Sequence, residues 1–145
     1  MDSFDGFKAQ AIRSLRVADY MLNITYPSVK EPKLLLAIID DIFVSLTNMI
    51  NAFMVRDGRE LDDDFFHLFS DFKSFARDLG FTDDDFDFIF RIHKIIHDHK
   101  QASVEFARDG KFVICLDGYN LEPITVEDVK AYIFKAQPLL KRLES

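Results

Sequence analysis

Between Phe90 and Lys100 the chain places Arg91, His93, His97 and His99, three of its four histidines among them. Histidine titrates near neutral pH, ligates metals and carries protons. Three chemistries are open to this segment. In the first, the histidines are half-buried boundary residues, hydrogen-bonded to backbone or to nearby carboxylates. In the second, His93 and His97, one helical turn apart, chelate an ion from one helix face. A third ligand is then required, such as His67 or a carboxylate from another helix. Neither an adjacent glutamate base nor a cysteine pair accompanies them. In the third, Arg91 grips a phosphate with its planar donor fork. His97 then moves a proton while a ribose 2′-hydroxyl attacks the adjoining phosphorus, with no metal.

A helix must position these groups. At about 100° per residue, His93 and His97 share a face with Phe86 and Phe90. Ile89, Ile92 and Ile96 adjoin that face. Arg91, Lys94, Asp87 and Asp98 project to the opposite side, which predicts exposure to water. Arg91 and His97 stand about 120° apart. One copy therefore aims them poorly at a single phosphate, and two copies lining one cleft would aim them better.

The rest of the chain supplies the scaffold. Phe4, Phe7, Ala11, Leu15, Ala18 and Leu22 make one apolar stripe, which predicts a first helix from Phe4 to Asn23. Ser3 caps it and Tyr26-Pro27 ends it. A second helix runs from Pro32 to Arg56, stops at Asp57-Gly58, and is apolar over most of its circumference. That pattern predicts a central helix. Asp40, Asp41, Asn48 and Asn51 form its polar stripe, with Arg13, Arg16 or Lys94 as partners for the two carboxylates. Asp62-Asp63-Asp64-Phe65 and Asp83-Asp84-Asp85-Phe86 open a third and a fourth helix with one capping habit. Gly80 ends the third, and the fourth, capped by Thr82, continues to Gln101. Phe65, Phe69, Phe72, Phe75 and Leu79 form the core stripe of the third helix. Phe66 and Phe88 fall off the stripes, which predicts exposed rings and a subunit interface.

The period then changes. Lys111 to Leu116 and Tyr119 to Ile124 read as a hairpin about an Asp117-Gly118 turn, with Pro123 restricting its strand to an edge. Cys115 is expected to be a small core residue of this hairpin. Thr125-Val126-Glu127-Asp128 caps a last helix, which Pro138 kinks or ends at Gln137. The expected fold is an all-α antiparallel bundle of about five helices, with a small β-hairpin before the last helix, in one domain over residues 1–145.

Composition bounds the function. The chain has 145 residues, a net charge of −7, sixteen phenylalanines and no tryptophan. Phenylalanine must dominate the core. The acidic balance argues against general nucleic-acid binding, since phosphate neutralisation needs clustered Lys and Arg. The single cysteine excludes an intramolecular disulfide and fits a reducing cytoplasm. The most apolar run, Leu34 to Val55, contains Asp40 and Asp41 and reads as a core helix, not a membrane span. The acidic start, Met1 to Asp5, does not read as a leader. No cofactor motif is present.

A helical chain with Arg91 and His97 separated by five residues late in its length, behind a long first helix and an apolar second one, resembles the HEPN domain (higher eukaryotes and prokaryotes nucleotide-binding). The resemblance implies a homodimer. It also implies a metal-independent endoribonuclease or an inactive relative, with RNA as substrate and a nucleotidyltransferase-type antitoxin as protein partner. Arg91 would hold phosphate and His97 would act as acid and base. The family usually places a polar residue after the arginine, and this chain has Ile92. A second likeness, carried by the segments Tyr26 to Leu36, His97 to Lys100 and Lys111 to Cys115, is to small archaeal helical proteins and implies no activity. The alternative from the residues themselves is a non-catalytic dimeric interaction module. The metal-binding bundle built on His93 and His97 stands behind it.

Overall fold

The computed structural model describes residues 3–102, 104–116 and 120–144. The chain begins with α1 (Phe4–Tyr20), capped by the Ser3 hydroxyl, which accepts from the Gly6 amide at 3.1 Å. The helix does not end at Asn23. It passes through a π turn (Met21–Thr25) into α2 (Tyr26–Val29), with Pro27 in the first turn of α2. In an unbroken α-helix the Pro27 ring would meet the carbonyl of Asn23. The π turn, in which the Tyr26 amide reaches back to the Met21 carbonyl, shifts the hydrogen-bond frame and removes that conflict. Lys30, in the left-handed region at φ 52°, ends the rod.

The helix α3 (Lys33–Arg56) is the hub, in contact with α1, α4 (Phe65–Ala76), α5 (Asp83–Gln101) and α6 (Val126–Lys141). It is long and apolar enough to cross a membrane, yet half of its most apolar stretch is buried inside this fold. Leu35, Ile38, Ile42, Met49 and Ile50 have no appreciable exposure. The α1–α3 contact is fixed by a buried hydrogen bond: Ser45 Oγ donates to the Ala11 carbonyl at 2.6 Å. Near the end of α3 the phenylalanines assemble. Phe72 stands 5.9 Å from Phe53 and 5.2 Å from Phe81, edge-on to the latter. Phenylalanine does not dominate the core: among the described residues seven phenylalanines are buried, beside eleven isoleucines and nine leucines.

The two acidic openings are capped differently. Asp64 is itself the cap of α4, with Asp62 and Asp63 outside the helix, whereas Thr82 and Asp85 form a reciprocal capping box at the start of α5. Thr125 and Asp128 do the same for α6. Pro138 does not end α6, which runs on to Lys141. The carbonyl that loses its partner there belongs to Phe134, whose residue is 75% exposed, so the unmade bond falls on the solvent side.

Between α5 and α6 lies a three-stranded antiparallel sheet, not a lone hairpin: β1 (Val104–Arg108), β2 (Lys111–Leu116) and β3 (Asn120–Ile124) in that order. The expected strands are β2 and β3, and Pro123 does sit on an edge strand, opposite Val113. The overlooked strand is β1. Its turn is Asp109-Gly110, with φ of 52° and 74°, the two positive values that a type I′ hairpin requires. The expected Asp117-Gly118 turn lies outside the described residues. Counting α1 to α2 as one rod, the described residues form five helical rods and one small sheet.

Candidate functional site

Helix α5 carries the candidate chemistry on three faces, and the sheet decides what each face meets. In the β1–β2–β3 register Glu105, Ile114 and Glu122 stand in one row across the strands. Ile114 is fully buried, so this row faces the helices. Glu105 and Glu122 flank an apolar centre and receive polar side chains from α5. His99 Nδ1 lies 2.5 Å from Glu105 Oε2. Glu122 meets the opposite side of the helix.

That side was expected to face water and does so only in part. Asp98 is buried, bonded to the Lys94 ammonium at 2.6 Å. Lys94 is therefore the partner of Asp98 and not of Asp40 or Asp41. Arg91 Nη2 lies 3.8 Å from Glu122 Oε1. Hydrogen bonding to the Tyr132 hydroxyl raises the Arg91 pKa further, so the guanidinium stays charged. Asp98 and Glu122 share a hydrogen bond. Burial, and then the hydrogen bond with Asp98, raise the Glu122 pKa. Asp98 is itself buried, but the bonds from Lys94 and Glu122 hold its pKa below the usual value. Of the two carboxyls, Glu122 is therefore the one more ready to hold a proton. Phe88, expected to be exposed, is 7% exposed and packs 6.1 Å from the Tyr132 ring.

His93 and His97 occupy the other face. His93 is boxed by Phe43, Phe65, Phe66 and Phe90, with ring centroids between 4.1 and 6.2 Å away. Neither of its nitrogens has a hydrogen-bond partner, and both are buried. Burial lowers its pKa, and His97 and Lys100 push the same way. His97 is exposed and its ring lies 6.1 Å from that of His93. Phe66 and Phe90 are 53% and 42% exposed and in contact, with centroids 6.3 Å apart.

Arg91 and His97 do not meet within one copy. Arg91 lines a cleft with Tyr132, Lys135 and three aspartates, Asp84, Asp85 and Asp87. His97 lines a different cavity, bounded by α1, α3, the α3–α4 linker, α4 and α5. Carboxylates beside Arg91 disfavour a phosphate there. His67, the expected third metal ligand, instead faces Asp64 at 3.2 Å and Asp62 at 3.5 Å. The described residues include no group of three or more His, Cys, Asp or Glu side chains that could hold a metal ion.

Sequence reasoning missed Glu122 and Tyr132. A signal for Glu122 was present: Ile124 is a core residue, and the residue two before it on a strand shares its face. Asp41, on the α3 polar stripe, has a raised pKa from burial and from its neighbour Asp40. Comparison with protein-family models, with curated proteins and with solved structures returned no match.

Proposed function

We propose that this chain is a dimer-forming interaction module that self-associates through the α4–α5 edge. The observation that carries the reading is the contact between two exposed rings, Phe66 and Phe90. Two adjoining aromatic rings left in water favour burial against a like surface. A two-fold contact sets each patch against itself. Sedimentation of the wild type and of Phe66→Ser and Phe90→Ser tests this. The expected result is a dimer that each substitution dissociates. A wild type that stays monomeric to high concentration overturns it.

A second reading has one observation in its favour. Arg91 and His97 are both exposed on α5, on either side of Phe90 and Lys94 around the helix. In an antiparallel α5–α5 contact with its axis near Lys94, Arg91 of one copy comes level with His97 of the other. That assembly would unite the two groups of a HEPN-like ribonuclease, with Arg91 on the phosphate and His97 moving the proton. RNA cleavage in the presence of a chelator tests it, comparing wild type with Arg91→Ala and His97→Ala. Loss in both variants supports it. Absent cleavage, or equal cleavage by all three, removes catalysis and leaves the interaction module.

A further inference from the structure

The side of α5 that carries the exposed Phe90 ring also carries charge in a fixed order. Asp83, Asp87, Lys94 and His97 are all exposed, and each lies within about 60° of Phe90 around the helix. Along α5 they read acid, acid, ring, base, base. The helix dipole favours acids in a first turn and cations in a last one, and fades beyond those turns. It accounts for Asp83. It does not account for Asp87, Lys94 or His97, which lie outside both terminal turns.

Contacts within one copy leave much of this pattern unsatisfied. Asp87 has no ion pair among the described residues, because Arg91, one turn along, lies toward Glu122 instead. Lys94 holds Asp98 at 2.6 Å, yet its side chain is 47% exposed. An ammonium has three donors, so Lys94 can serve a second carboxylate.

Such a face is complementary to itself turned end for end. With a two-fold axis level with Phe90, Asp83 of one copy comes level with His97 of the other. Asp87 comes within about 1.5 Å of level with Lys94. Asp87 and Lys94 lie on the same flank of Phe90, about 60° and 40° around, and a two-fold keeps them on one side of the seam. His93 lies on the opposite flank with Phe66, 5.0 Å from it, so the exposed rings fill the other side. An axis level with Lys94 does the reverse: it sets two Lys94 ammonium groups against each other and Arg91 against His97, bases facing bases.

We propose that the second copy docks antiparallel along α5 with its two-fold axis at Phe90, and that Asp87 of each copy pairs with Lys94 of the other. This rests on the self-association reading and adds its register and its recognition chemistry. In this register Arg91 and His97 of opposite copies are about 12 Å out of level, which does not unite them on one phosphate.

Sedimentation of the full chain over a range of concentrations, in NaCl at about 0.05 and 0.5 M, tests the register. The expected result is a dimer that salt weakens. Asp87→Lys weakens it about tenfold and Asp87→Asn by less, since each variant alters two symmetry-related pairs. The direction is decisive. Each copy carries −7, and Asp87→Lys makes that −5, two units less negative, so repulsion between net charges alone predicts tighter association. Asp84→Lys makes the same change about 120° around α5 from Phe90 and should not weaken the dimer. A dimer that Asp87→Lys and Asp87→Asn leave unchanged or tighten, or that Asp84→Lys weakens equally, overturns the register and leaves self-association standing. A wild type that is monomeric at every concentration and salt removes both.

Discussion

The His93 ring lies flat against Phe65, with centroids 4.1 Å apart and planes within 9°. An imidazole held this way acts as an aromatic core side chain that carries two unused polar atoms. Charging it would place a cation in a buried position where neither nitrogen has a hydrogen-bond partner. This explains its lowered pKa more directly than any catalytic role.

His93→Phe keeps the ring stack and removes the two unpaired nitrogens. Its expected effect is a gain of about 1 kcal/mol in unfolding free energy at neutral pH. The pH dependence changes too. A histidine whose pKa is depressed on folding contributes stability above its ordinary value of 6.5, which is lost as pH falls through the folded value. Denaturant unfolding between pH about 4 and 8 should therefore show a shallower acid slope in the variant. An unchanged slope would mean that His93 titrates normally.

Ser45→Ala tests the α1–α3 clasp. The hydroxyl is buried and donates to Ala11, in the neighbouring helix, at 2.6 Å. Removing it leaves one buried carbonyl with a lone pair unfilled, at an expected cost of about 1 kcal/mol. Ser45→Leu forces a larger side chain between two closely packed helices and should cost about 3 kcal/mol. Equal melting of the wild type and Ser45→Leu would mean that the α1–α3 spacing is not set here.

Much of the scaffold was legible because single elements dictate it. The apolar circumference of α3 identified the hub, and Thr82 and Thr125 marked helix starts within a residue. The π turn was not legible, because Pro27 alone says that an α-helix must change, not that a wider turn will carry it onward. The Arg91 surroundings were misread for a related reason. Helical projection placed Arg91, Lys94 and Asp98 on the right side of α5, but only pairing between strands shows that Glu122 comes to rest over that side. His93 was placed correctly at the edge of the buried stripe, since its burial follows from its own helix.

Gly110→Val addresses the strand that local patterning missed. Asp109 and Gly110 both hold positive φ, and nothing stands within 4 Å of a β-carbon built on Gly110. Space is therefore not the obstacle; backbone conformation is. A β-branched residue there should cost about 1–2 kcal/mol. Because the strain falls on the β1–β2 turn, hydrogen exchange should quicken first at amides of β1 and β2, while α3 stays protected. Uniform loss of protection would mean that the sheet and the bundle open as one unit.

Glu122→Gln separates the two carboxyls that the sheet brings to α5. Glu122 is raised above its ordinary value of 4.5 on folding. Whatever stability it lends is complete below that value and is lost as pH rises through the folded value. Asp98, lowered from 3.8, behaves oppositely: its contribution is complete above that value and fades as pH falls through the folded one. Glutamine keeps a donor for Asp98 and cannot ionise. The variant should match the wild type near pH 4 and exceed it by about 1–2 kcal/mol at pH 8. Asp98→Asn, which strips Lys94 of its partner, should be destabilised at pH 8 and converge on the wild type in acid. If Glu122→Gln is destabilised at every pH, the ionised Glu122 is held by Arg91 more strongly than Asp98 repels it, and the carboxyl pair is a salt-bridge network with no shared proton.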